Sequence, residues 1–207
     1  MYFKTYKENA FTLAEILIVI AVIGVLSVFV LSSLSNATPD KNKVMFKKAY
    51  SITERTVQEL INDETLYPYN QDLWGFMNAI QVQIPGEAIG QRTVANSGDK
   101  FAVLFKDKLN VVESSPKTNH NYVFTTTDGI TWTIPDGAFT RSSNANNAKV
   151  ITVDVNGNSK GANCYASDNL QDHDCDQFRI LVYFDGKVNV TGTVEREFLT
   201  SDSLKRE

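Results

Sequence analysis

Phe11-Thr12-Leu13-Ala14-Glu15-Ile16-Leu17-Ile18-Val19-Ile20-Ala21-Val22-Ile23-Gly24-Val25-Leu26-Ser27-Val28-Phe29-Val30-Leu31 continues to Leu34 with Glu15 as its single charge. A helix over 11–34 spans roughly 36 Å at ~1.5 Å per residue, enough to cross a bilayer core of about 30 Å. Residues 1–10 form a short polar leader, and everything after the apolar run is soluble in composition. Glu15 is the anomaly. A carboxylate inside a membrane helix costs on the order of 2.5–3.5 kcal/mol on insertion scales, so it needs a partner. Two plainer readings compete. A secretory signal peptide is one, with Ser35-Asn36-Ala37 as a loose cleavage site, but its apolar core is only about 7–15 residues. A simple single-span anchor is the other, and it fits the length.

The chain has 207 residues, a formal net charge of −4, 43% hydrophobic residues and 12 Phe. Without leader and span the remainder suits one domain with a real core. The slight acidity gives no electrostatic reason to expect direct nucleic-acid binding. Lys4 and Lys7 precede the span while Lys41, Lys43, Lys47 and Lys48 follow it, so charge asymmetry alone does not orient it. Cys164 and Cys175 are the two cysteines. In an exported domain that even count favours a disulfide between them; in a reducing cytosol it would not.

Lys7-Glu8-Asn9-Ala10 ahead of Phe11-Thr12-Leu13-Ala14-Glu15 resembles the processing site of type IV prepilins and type II secretion pseudopilins. The resemblance is strongest over residues 1–60. It implies cleavage between Ala10 and Phe11 by a membrane prepilin peptidase, with N-methylation of the new Phe11 amine. It also implies that Glu15 pairs with the terminal amine of a neighbouring subunit during assembly, which supplies the partner that a buried charge demands. Ala10 stands where the family usually has Gly. Ser32 and Ser33 lie where many members carry a helix Pro.

Beyond the span, Pro39 disfavours helix at Thr38 and predicts a pause there. Met45, Ala49, Ile52 and Leu60, flanked by Phe46, Tyr50, Val57 and Ile61, recur at helical spacing and predict a helix from about Lys41 to Glu64. Leu73, Phe76, Met77, Ile80 and Ile84 fit a short helix stopped by Pro85. Phe101, Leu104, Phe105, Leu109 and Val112 predict another over 100–112. From Asn121 the period becomes two. Runs at 122–126 and 130–134 flank Asp128-Gly129, and runs at 178–184 and 187–191 flank Asp185-Gly186. Both patterns predict hairpins, with a further strand at 149–154 between them. The tail, 195–207, alternates charges and is expected to fray.

One loop is dense in oxygen donors, from Asp154-Val155-Asn156-Gly157 through Asn163-Cys164 to Asp174-Cys175-Asp176. Hard cations such as calcium take about six to eight oxygen ligands. The EF-hand template fails here, because Ser159 replaces its Gly and Tyr165 stands where its Glu belongs. The loop is similar to an Asp-x-Asn-Gly … Asn … Asp-x-Phe pattern near the C-terminal end of many pseudopilin-like heads, and some secretion pseudopilins bind calcium in their C-terminal loops. That resemblance makes Asp154, Asn156, Asp174 and Asp176 the candidate ligands. The preferred reading of the same composition is a solvated loop whose Asp and Asn residues make turns. His120 and His173 lie far apart in sequence, and no nucleophile, zinc or phosphate-loop motif accompanies them.

The expected fold is α+β: a long N-terminal helix, membrane-spanning in its first half, packed on a C-terminal antiparallel β-sheet head. The expected domains are a leader at 1–10, a transmembrane segment at 11–34 and a periplasmic or extracellular head at 35–207. The expected function is structural, not enzymatic. It is that of a pilin or pseudopilin in the bacterial inner membrane, whose partners are the prepilin peptidase, other pilin subunits and an assembly platform. The rival is a membrane-anchored binding module or enzyme unrelated to filaments.

Overall fold

A computed structural model describes residues 13–37, 41–68, 77–78, 80–82, 98–140, 147–157, 160–166 and 175–201, with side chains described over 13–25 in the first helix. Helix α1 covers Leu13–Ala37. The chain divides into two compact units, and Asp40–Ser203 is the second. That second unit, the head, holds every remaining element.

Helix α2 covers Lys41–Ile61 and buries Phe46, Ala49, Thr53, Thr56, Val57 and Leu60. The burial follows the i, i+3, i+4 rhythm of one helical face. The expected stripe is rotated: Met45 and Ile52 flank the core, and Phe46 and Thr53 occupy its centre. Thr53 fits this apolar setting because its hydroxyl donates back to Ala49 O at 2.9 Å. Helix α2, the second part of the long helix expected to pack on the sheet, contacts the helices over Lys100–Asp107 and Thr193–Thr200 and the strands over Gln177–Val182 and Val188–Asn189 within the head.

The sheet is a six-stranded antiparallel meander in the order β1-β2-β3-β4-β5-β6. The strands are β1 Val111–Ser114, β2 Asn121–Thr126, β3 Thr131–Pro135, β4 Lys149–Asp154, β5 Gln177–Val182 and β6 Val188–Asn189. Pairing sets Phe124 opposite Trp132, Trp132 opposite Val153, and Val153 opposite Phe178. All four are fully or almost fully buried, so one apolar row crosses the sheet. Because strand side chains alternate, a slip of one residue would turn this row to solvent, which fixes the register.

Helix α3, Lys100–Asp107, brings Phe105 within 5.5 Å of the Trp132 ring. The helix expected over 100–112 stops here. Val111 and Val112 enter β1 instead, paired with β2. Cross-strand hydrogen bonds outweigh a helical apolar spacing that has no further core to cover. Residues 77, 78 and 80–82 are not helical, contrary to the expected short helix; Met77 N donates instead to Phe184 O at 2.9 Å. The other residues of that segment lie outside the described set. The start of the tail differs from expectation, because Thr193–Thr200 forms helix α4, while residues 202–207 lie outside the described set. Its Phe198 completes a cluster with Phe46 and Phe178, at centroid distances of 6.4 and 5.6 Å. Aromatic burial, not charge alternation, decides that segment.

Polar bonds sew α2 to the sheet along its length. Asn42 donates to Cys175 O, Tyr50 to Val188 O and Gln58 to Gly186 O, each at 3.2 Å. Lys48 pairs with Asp128 in the β2–β3 turn at 2.9 Å.

Candidate functional site

Two places hold the residues singled out above. The first is the start of the chain. Glu15 lies in the first turn of α1, where the positive end of the helix favours a carboxylate. Ala10 and Phe11 lie outside the described residues. Leu13, Leu17, Ile18 and Ile20 are each 60% or more exposed in the single chain, so this helix presents an apolar surface all round. Among the described residues no helix is long and apolar enough to cross a membrane. The stretch with described side chains, 13–25, is only about 20 Å of helix at ~1.5 Å per residue.

The second place is the connection between β4 and β5. Asp154 ends β4 and stands opposite Gln177, the first residue of β5. This register puts Asp176, one residue earlier, at the same end of the ladder. Val155 N donates to Asp176 O at 3.0 Å and locks that placement. Asp176 is completely buried, and Asp154 nearly so. Asp176 Oδ2 accepts from Asn156 Nδ2 at 3.2 Å and from Asn163 N at 3.1 Å. Among the described residues its other oxygen, Oδ1, has no hydrogen-bond partner, and neither has Asn156 Oδ1. Asp154 accepts from Asn156 N at 3.2 Å and from Gln177 Nε2 at 3.4 Å. Burial pushes the Asp154 carboxyl above its ordinary value, against the Asn156 N–H bond, and the nearby charge of Asp176 adds to the rise.

The intervening chain folds back along β5. Gln177 N donates to Cys164 O at 3.0 Å and Ala166 N to Gln177 O at 2.9 Å, making a parallel bridge beside the strand. Cys164 and Cys175 are joined by a disulfide, their Cα atoms 5.0 Å apart. Closing a loop of this size restricts the unfolded chain by about 3 kcal/mol in chain-entropy models. Gly161 passes directly over the carboxylate: a Cβ there would overlap Asp176 Oδ2 and Asn156 Nδ2, and its φ is +79°.

Of the four expected ligands, the structure brings together Asp154, Asn156 and Asp176, while Asp174 lies outside the described residues. Among the described residues no cluster of three or more His, Cys, Asp or Glu converges. The side-chain oxygens here belong to two carboxylates and one amide, the donor type that hard cations take. A buried oxygen left unpaired costs about 1–3 kcal/mol. Sequence reading placed Gly161 and Asn163 in this loop without giving either a role. Their only signal is Gly161-Ala162-Asn163 inside a polar loop, where Asn163 takes a left-handed φ of 48° that Asn tolerates.

His120 belongs to neither place. It is exposed and sits 3.1 Å from Asp136, which also accepts from Lys117 at 2.6 Å; Lys117 reaches Asp99 at 2.7 Å. This is a surface ion network with no nucleophile in it. His173 lies outside the described residues.

Neither the curated proteins nor the solved structures give a match to the chain. Residues 5–31 match the family described as the prokaryotic N-terminal methylation motif, the prepilin-type cleavage and methylation segment.

Proposed function

We propose that the chain is the precursor of a pilin or pseudopilin, a structural subunit of a type IV pilus-like or type II secretion filament. Prepilin peptidase removes residues 1–10 by cutting between Ala10 and Phe11, and the exposed Phe11 amine is methylated. The mature chain waits in the inner membrane, held by the apolar segment 11–34, with the head from residue 35 onward in the periplasm. Assembly on an inner-membrane platform then moves the apolar helix from lipid into a bundle of like helices.

One observation carries this reading. The methylation motif at 5–31 runs without a break into α1, whose described side chains are exposed and apolar apart from Glu15. A lone soluble domain rarely leaves such a surface bare. Intact-mass analysis of protein extracted from membranes tests it. The expected species begins at Phe11 and is heavier by one methylene. An uncut chain, or one that begins at Thr38, defeats the proposal.

A further inference from the structure

We propose that the outer face of the sheet binds a small zwitterion, a free amino acid or short peptide, in the cleft between β1 and the chain that follows β4, with the ligand's ammonium on Glu113 and its carboxylate on Lys160. The inference is independent of the filament reading, since it concerns only the head.

Phe105 of α3 packs on Trp132, so α3 lies on the face of the buried aromatic row. Side chains alternate along a strand, so the residues next to that row face the other way. Glu113 stands opposite Thr125, and Thr125 opposite Thr131. These three share the outer face on adjacent strands, and two strand spacings, about 10 Å, separate Glu113 from Thr131. Beyond β4 the chain turns back over them. Lys160 N donates to Gly157 O at 3.0 Å. A Cβ on Gly157 would lie 3.4 Å from Gly129 O and 3.9 Å from Thr131 Oγ1. The cleft so formed has a volume of about 360 Å³, and its lining includes Glu113, Ser115, Val123, Thr125, Thr131 and Lys160. That is near the lower end of the range for small-molecule sites, about 300–1,000 Å³.

Glu113 and Lys160 are both exposed, and neither makes an ion pair among the described residues, with the other or with a third group. A simple anion drawn to Lys160 would be repelled by the Glu113 carboxylate, and a simple cation drawn to Glu113 would be repelled by the ammonium. A molecule that carries both charges is attracted at both ends. Between them lies a polar floor. Thr131 is only 5% exposed, and its Oγ1 lies 2.9 Å from Thr125 Oγ1. That bond uses one of the two hydroxyl protons, and the other remains for an acceptor above the floor. A peptide carbonyl or a carboxylate is such an acceptor. Val123 offers an apolar contact to a ligand side chain. Charges this exposed attract weakly in water, which sets an expected Kd on the order of 1 mM.

Glycyl-valine is the probe, titrated into detergent-solubilised full-length protein and followed by ligand-observed saturation-transfer NMR. It should saturate the wild type with a Kd of that order. Acetylating its amine or amidating its carboxylate should each weaken binding about fivefold. Glu113→Gln and Lys160→Met should cost as much, and because both side chains are exposed the melting temperature should not move. The losses should also match end to end. Glu113→Gln should bind glycyl-valine and its acetylated form alike, and Lys160→Met should bind glycyl-valine and its amide alike. No saturation by about 20 mM, well above the expected Kd, would overturn the site. So would equal binding of the free and capped dipeptides by the wild type, or affinity kept in full by both variants. Losses matched to the opposite ends would overturn the orientation given to the ligand.

Discussion

Lys149 and Lys100 are buried to an extent unusual for lysine, at 7% and 1% exposure. Lys149 Nζ donates to the carbonyls of Pro135, Asp136 and Gly137 at 3.1, 3.2 and 2.7 Å and lies over the Phe139 ring. Lys100 Nζ donates to Ile80 O at 2.8 Å and Asn78 Oδ1 at 3.2 Å, 4.1 Å from the Tyr67 ring centre. Burial lowers each ammonium from its ordinary value to about 8. The native head therefore holds these protons less tightly than the unfolded chain, which keeps them to about pH 10.5. Between pH 8 and 10 the unfolded state carries more protons, so stability rises with pH, by up to about 1.4 kcal/mol per unit for each lysine. Tyr50, raised to about 12, closes the window from above, because unfolded tyrosine ionises first and reverses the slope. Urea midpoints at pH 7.5, 8.5 and 9.5 should climb in the wild type and climb less in Lys149→Met. A flat profile would mean that the carbonyl cages hold both lysines charged throughout. Neither cage was legible in the sequence. A lysine at the first position of a strand or helix reads as solvent-facing, and only tertiary placement of residues 80 and 135–137 makes it a buried clamp.

Turns separate what sequence shows at the level of elements from what it hides. Asp128-Gly129 and Asp185-Gly186 mark both hairpins, because each glycine takes a left-handed φ, +85° and +77°, that other residues resist. The sequence treats the two alike, but the fold does not. A Cβ on Gly129 meets nothing within 4 Å, whereas one on Gly186 would come within 2.7 Å of Ile61 Cδ1 at the end of α2. Gly129→Ala should thus cost only the backbone term, on the order of 1 kcal/mol. Gly186→Ala should cost about 1–3 kcal/mol more, since it also overpacks the contact with α2. Chemical denaturation of the two variants side by side checks this; equal losses would show that the α2 contact yields freely. The central strands were legible for the same reason as the turns, being clean alternations bounded by Asp-Gly or Pro. Strand β1 was not, because its four residues run from half-buried to exposed without alternation and its existence depends on β2. Helix α4 was hidden by its charges. Its cue is Gly192 followed by Glu195, a nearly fully buried carboxylate that accepts from Arg179 N at 3.3 Å and turns back toward the helix start.

For the molecule as a whole, the proposed function asks how an apolar helix that carries one carboxylate would serve both a membrane and a filament. Glu15 sits in the first turn of α1, so in a bilayer it lies near the interface, where the helix N-terminus and headgroup water reduce its cost. A filament core offers no such water. The carboxylate would then require a buried counter-charge, and the group of opposite sign that the proposed processing would create nearby is the amine of Phe11 on an adjacent subunit. Glu15→Val removes the desolvation cost in lipid, so membrane insertion should survive or improve. Leader cleavage should survive as well, because the scissile bond lies outside the altered residue. Docking should fail, since the neighbour's amine would be buried alone, a loss of about 3–5 kcal/mol in comparable pairs. That corresponds to a loss of incorporation on the order of a hundredfold or more. The measurement compares processed protein in membranes with subunit recovered in sheared filaments, or with secretion output, in cells lacking the native copy. Processed Glu15→Val accumulating in membranes and missing from filaments is the expected outcome. Normal filaments or normal secretion would show that Glu15 has no part in assembly.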